Sequence, residues 1–86
     1  MLDEKTVRKV VYKLGGRIFT VIFQKQNGEE RTMNARRGVH KHLAGGRSTI
    51  REQDHLIGCF DIQKKAYRCF DDRRVLELRA RGEIIR

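Results

Sequence analysis

A run of β-branched and aromatic residues, RIFTVIFQKQ at 17–26, ends directly in Asn27-Gly28. Both residues of that dipeptide tolerate the positive φ of a type I′ turn, so between apolar segments it signals a β-hairpin. A two-residue turn pairs Lys25 with Glu30, Phe23 with Thr32 and Ile22 with Met33, charged pair at the tip and apolar pair inward. Phe19, Val21 and Phe23 then share one face, Ile18 and Ile22 the other. Apolar residues on both faces predict a helix over one side and a barrel core on the other.

The helix is predicted just upstream, over about 3–14. Val7, Val10, Val11 and Leu14 recur at helical spacing. Asp3 is the natural N-cap, Glu4 and Lys13 suit the two ends of the dipole, and Gly15-Gly16 stops the helix.

A second hairpin is predicted from 56–62 (LIGCFDI) and 66–71 (AYRCFD). With Lys64-Lys65 at the tip, Asp61 faces Arg68, Phe60 faces Cys69 and Ile62 faces Tyr67. That register gathers Phe60, Ile62, Tyr67 and Cys69 on one face. It also turns Cys59 and Cys69 to opposite sides, where they pack as small apolar thiols rather than form a disulfide. Asp71-Asp72-Arg73-Arg74 reads as a tight polar turn, 75–80 (VLELRA) as a last strand, and RGEIIR as a fraying end. The sum is a mainly β chain, a single domain over 1–86. It is a small SH3-like five-stranded barrel, about 17–81, with an N-terminal helix and a long basic connection between two hairpins. An SH3 peptide groove is not expected, since it needs a cluster of exposed aromatic residues and the chain has no Trp and two Tyr.

That connection is the expected site. Residues 31–51 hold Arg31, Arg36, Arg37, Lys41, Arg47 and Arg51, with His40 and His42, and no carboxylate. A one-signed cluster on a rigid scaffold is the electrostatic footprint of a phosphate-binding surface. The arginines offer bidentate contacts and the lysine a point charge, while Gly38, Gly45 and Gly46 let backbone N–H groups come close to an anion. A net charge of +9 points the same way, to nucleic acid first, DNA or RNA. Tyr67, beside Arg68, and Phe70 are the rings to watch for base stacking, though most rings are needed for the core. Arg73, Arg74, Arg79, Arg81 and Arg86 are diluted by Asp71, Asp72, Glu77 and Glu83 and read as ion-paired surface.

From Phe23 to Gly46 the chain carries Asn27-Gly28, Arg31, Met33-Asn34-Ala35-Arg36, Gly38-Val39, Lys41, Leu43 and Gly45-Gly46. It continues with Phe60-Asp61, Gln63-Lys64, Ala66-Tyr67-Arg68 and Phe70. In these residues, over about 18–80, it resembles small bacteriophage proteins described as SH3 β-barrel fold-containing. The resemblance implies the barrel and a phage source. It carries over no catalytic residue and leaves out the N-terminal helix.

Other functions are less well supported. His40, His42, His55, Cys59 and Cys69 lack the close-pair spacing of a structural zinc site, so no metal or cofactor is expected. His55 and a cysteine do not make a nucleophile pair without a group to orient the base, and the expectation is no enzyme. No apolar run reaches the roughly 20 residues of a membrane span, and no signal-peptide core opens the chain, so a reducing cytoplasm, the host's if phage-encoded, is expected. The alternative to nucleic acid is a protein-interaction module that binds and modulates a host protein through the same basic face.

Overall fold

The structure, a computed structural model, describes residues 1–37 and 55–86. The expectations for Gly38, His40, Lys41, His42, Gly45, Gly46, Arg47 and Arg51 lie outside the described residues. Helix α1 spans Glu4–Leu14, followed by β1 (Phe19–Gln24), β2 (Glu30–Arg36), β3 (Leu56–Asp61), β4 (Ala66–Asp71), β5 (Val75–Ala80) and β6 (Glu83–Ile85). All the strands join one antiparallel sheet in the order β4-β3-β2-β1-β5-β6.

The helix ends as its sequence dictates. Asp3 accepts from the Lys5 and Thr6 amides at 3.2 and 3.3 Å, and Gly15 leaves the helix at a φ of 61°. Val7 and Val11 are fully buried, but not over a separate face. They join the same core as Phe19, Val21 and Phe23 of β1, Met33 and Ala35 of β2, Ile57 and Cys59 of β3, Phe70 of β4, and Val75 and Leu78 of β5. The expected division into a helix side and a barrel side is therefore corrected to one shared core, and Ile18 on the outer face is left 58% exposed.

The sheet is bent but not closed. Phe70 belongs to the edge strand β4, yet its ring meets Phe19 edge-on at 6.4 Å and stacks on Phe23 at 5.9 Å. Because β3 and β2 lie between β4 and β1, the contact requires the sheet to curl around its core. Each such ring pair adds about 0.5–1.5 kcal/mol beyond simple burial.

Both hairpins form, each in a different register from the one expected. In the first, Gln24 faces Glu30, Phe23 faces Arg31 and Val21 faces Met33. The Gly28 amide donates to the Lys25 carbonyl at 2.9 Å, the Lys25 amide to the Glu29 carbonyl at 2.8 Å, and Gly28 takes a φ of 88°. This is a three-residue loop with a glycine bulge, not a two-residue turn. It puts Met33 on the core face with Val21, where the expected register paired it with Ile22. In the second hairpin Asp61 faces Ala66, Phe60 faces Tyr67 and Cys59 faces Arg68. Asp61 causes the shift: its Oδ1 accepts from both the Gln63 and Lys64 amides at 3.1 Å, which draws residues 62–65 into the turn. Cys59 is buried and Cys69 exposed, so the two thiols do face opposite ways, and only one packs inward.

The expected fraying end is instead a sixth strand. Arg81 and Gly82, at φ of 54° and 78°, turn the chain so that Ile85 pairs with Leu78.

Candidate functional site

Of the ten expected contact residues, Arg31, Arg36, Arg37, Tyr67 and Arg68 are described, and His40, Lys41, His42, Arg47 and Arg51 lie outside the described residues. Arg31 and Arg68 converge on one carboxylate. Asp61, 2% exposed at the end of β3, receives the Arg31 guanidinium at 3.2 Å and the Arg68 Nε at 3.7 Å on Oδ2. Two arginines against one aspartate leave a net positive charge, and the Arg68 side chain stays 44% exposed. Beside them the Tyr67 ring stands edge-on to Phe60 at 5.3 Å, and its hydroxyl is buried without a hydrogen-bond partner. Phe70, 2% exposed, is core and offers no stacking face.

The basic connection leaves the sheet beneath the helix. Arg36 ends β2 exposed, opposite Phe60 of β3. Arg37 follows, with its guanidinium 4.3 Å from the centre of the Tyr12 ring. Such stacking holds the cation in place while its N–H edge can still donate. The turn after α1 packs on the same point, since a Cβ on Gly16 would stand 3.4 Å from the Arg37 carbonyl oxygen. Arg8, one helical turn before Tyr12, donates to the Tyr12 hydroxyl at 2.8 Å and, through Nε, to Asp72.

The connection returns to the fold at the other end of the helix. His55 takes a left-handed φ of 64°, and its carbonyl accepts from the Asp72 amide at 2.8 Å. Its Nδ1 lies 3.0 Å from Glu4 Oε2 and 3.2 Å from Asp72 Oδ1. The Glu4 contact is an ion-pair distance without hydrogen-bond alignment, because Glu4 Oε2 is buried and makes no hydrogen bond. These three donor atoms lie within 4.8 Å of one another, a nitrogen and two carboxylate oxygens that suit a divalent cation. Arg8 on the second oxygen of Asp72 already supplies positive charge there, so the group serves as a clasp between helix, connection and the β4–β5 turn. Both ends of the connection thus bear on α1, its start at Tyr12 and its return at Glu4.

Sequence reasoning missed the clasp and the Tyr12–Arg37 stack. In sequence Glu4 reads only as a first-turn acid, Asp72 only as a turn residue and Tyr12 only as a weak helix former. Their partners come from far along the chain, and no local pattern joins them.

Four of the five surface arginines expected to be paired have ion pairs, and exposed Arg81, at the β5–β6 turn, is the exception among the described residues. Arg73 and Arg74 lie against Asp71, and Arg79 and Arg86 against Glu77. The hydrogen bond from Arg73 holds the Asp71 carboxyl below its usual range. At Cys59, burial first and then the charge of Asp61 push the thiol up to about 12, so it stays protonated and is no nucleophile at neutral pH.

Comparison with known proteins gives one match. The family model described as WYL_2, Sm-like SH3 β-barrel fold, matches residues 7–76, from within α1 to the start of β5. It therefore takes in the apolar face of the helix, which the resemblance to phage proteins left out. No curated protein matches, and no solved structure does.

Proposed function

Since the chain belongs to the WYL_2 family of Sm-like SH3 β-barrel fold, we propose that this small barrel is a non-enzymatic nucleic-acid-binding protein, encoded by a phage as an accessory. It contacts the phosphate backbone of DNA or RNA through residues 31–51, with Arg36, Arg37, Lys41, Arg47 and Arg51 as the main contacts and Arg31, Arg68, His40, His42 and Tyr67 assisting. The observation that carries the reading is a 21-residue segment with six Lys and Arg and no carboxylate, tied to one helix at Arg37 within it and at His55 just after it. Such ties reduce the ordering that binding must impose.

Fluorescence anisotropy with labelled oligonucleotides across a salt series tests this. The expected result is micromolar or tighter binding whose logarithm falls linearly with the logarithm of salt. No binding at low salt overturns it. A second reading, a module that modulates a host protein, is favoured by Ile84, paired with Arg79 on β6 and 54% exposed, and by Ile18, just before β1 and 58% exposed. It predicts that polar substitutions at those isoleucines abolish capture of a host protein without changing the salt slope.

A further inference from the structure

The outer face of α1 is more basic than the stability of the helix requires. Lys5, Lys9 and Lys13 stand at i, i+4 and i+8, all exposed, and from Lys5 to Leu14 the helix has no acidic residue. Arg8 and Tyr12 complete the same arc, about 140° wide at 100° per residue. Like charges at i,i+4 destabilise a helix, so Lys5 and Lys9 bring no helix stability, while Lys13 alone suits the C-terminal end of the dipole. The stripe also adjoins the start of the basic connection, since Arg37 is stacked on Tyr12 and Gly16 packs on Arg37.

The aromatic residues narrow the partner. The chain has four Phe, two Tyr and no Trp, and all six rings are among the described residues. Phe19, Phe23 and Phe70 are buried, Phe60 and Tyr67 are half-buried against each other, and Tyr12 has a guanidinium over its ring. Binders of single strands lay bases on open rings beside a basic groove. Here the ring positions a cation instead, which suits a phosphate better than a base. An anionic membrane fits less well, because the apolar side of the helix, with Val7 and Val11 at 0% exposure, is committed to the core and cannot insert.

Building on the reading above, we propose that α1 is a second row of phosphate contacts, Lys5, Lys9 and Lys13 beside the Tyr12–Arg37 stack, and that the partner is a duplex held by its backbone.

The test is anisotropy with a labelled 20-base-pair duplex, its single strand, and anionic phosphatidylserine vesicles as a competitor. It compares the full chain with the triple variant Lys5→Gln, Lys9→Gln, Lys13→Gln and with a control of equal charge loss, Lys25→Gln, Lys64→Gln, Lys65→Gln, at exposed hairpin tips. Each lysine that touches a phosphate contributes about 0.9 to the slope of log K against log salt for a duplex. The helix variant should lose between about 0.9 and about 2.7 of slope, the control less than about 0.9. The melting temperature of the helix variant should be nearly unchanged, because relief of repulsion offsets the loss of Lys13 at the C-terminal end of the dipole. Duplex binding by the parent with an unchanged slope in the helix variant overturns the inference and leaves the nucleic-acid reading standing. So does an equal loss in both variants, tighter binding to the single strand, or binding to vesicles alone. Failure of the parent to bind either oligonucleotide overturns both readings.

Discussion

Asp61 and Asp72 are the charged residues buried in the described part of the chain, at 2% and 1% exposure, and they are satisfied in opposite ways. Asp61 takes two amides from its own turn, at Gln63 and Lys64, and arginines from β2 and β4, the two strands that flank β3 in the sheet. Asp72 takes Arg8 from the helix and His55 from the return of the connection, 64 and 17 residues away. One carboxylate shapes a turn, and the other ties the helix to the point where the connection re-enters the sheet beside β4. A buried charge must be paired wherever it lies. The choice of partners decides whether its loss is felt locally or across the fold, and here the far-reaching one sits beside the proposed interface.

Removing each side chain should separate the two roles, and the largest effect belongs to Asp72. Asp72→Ala strands Arg8, whose side chain is 21% exposed, and frees both the helix and His55. Loss of about 3 kcal/mol is expected, the low end for breaking a buried pair because Arg8 can reach water. Asp61→Ala should cost less, about 2 kcal/mol, since Arg31 and Arg68 are already 25% and 44% exposed and hydrate readily. Urea titration gives the energies, and amide exchange locates them. Exchange should quicken in α1 for Asp72→Ala and in the β3–β4 turn for Asp61→Ala. The same exchange pattern in both variants would erase the distinction.

Asp61 is also felt by Cys59, whose thiol is pushed up to about 12 by burial and then by that carboxylate. A raised folded pKa contributes stability below the unfolded value of 9.0, and that stability is lost as pH climbs toward 12. The loss should approach about 1.4 kcal/mol per pH unit across this window. Urea titrations of parent and Cys59→Ala between pH 8 and 11 would therefore converge as pH rises. In Asp61→Asn the thiolate should appear at lower pH, by absorbance at 240 nm. In Asp72→Asn it should not move, and an equal shift in both would show that the two carboxylates act on the core alike.

What the sequence disclosed follows from the range of the forces involved. Helix α1 was legible because Val7, Val10, Val11 and Leu14 repeat at helical spacing after an Asp3 cap, all within eleven residues of one another. The strands were legible by their β-branched and aromatic content. Registers were not, because a loop length depends on which residue takes the left-handed conformation. At Asn27-Gly28 only Gly28 does, while Arg81-Gly82, which carries no comparable signal, has both residues at positive φ. The sixth strand was missed for that reason. The basic connection was legible as composition but not in extent, since residues 31–36 of the expected 31–51 belong to β2 and only Arg37 of the described arginines there follows the strand. The Tyr12–Arg37 stack and the Glu4–His55–Asp72 clasp were invisible, since chain folding alone brings those residues together.

The smallest expected effect asks which partner makes Asp72 valuable. His55 sits at a φ of 64°, a conformation that costs a residue with a side chain about 1 kcal/mol. His55→Gly releases that strain and gives up the contacts to Asp72 and Glu4, together worth about 1 kcal/mol, with a further backbone-entropy cost of about 0.5 kcal/mol. The net change should stay under about 1 kcal/mol. His55→Ala loses the same contacts without the relief but also without the glycine entropy cost, and should be about 0.5 kcal/mol less stable than the glycine variant. If so, the imidazole places the end of the connection while Arg8 supplies most of the stabilisation at Asp72. A glycine variant as unstable as Asp72→Ala would reverse that assignment, because then the helix would be held through the histidine and not through its own arginine.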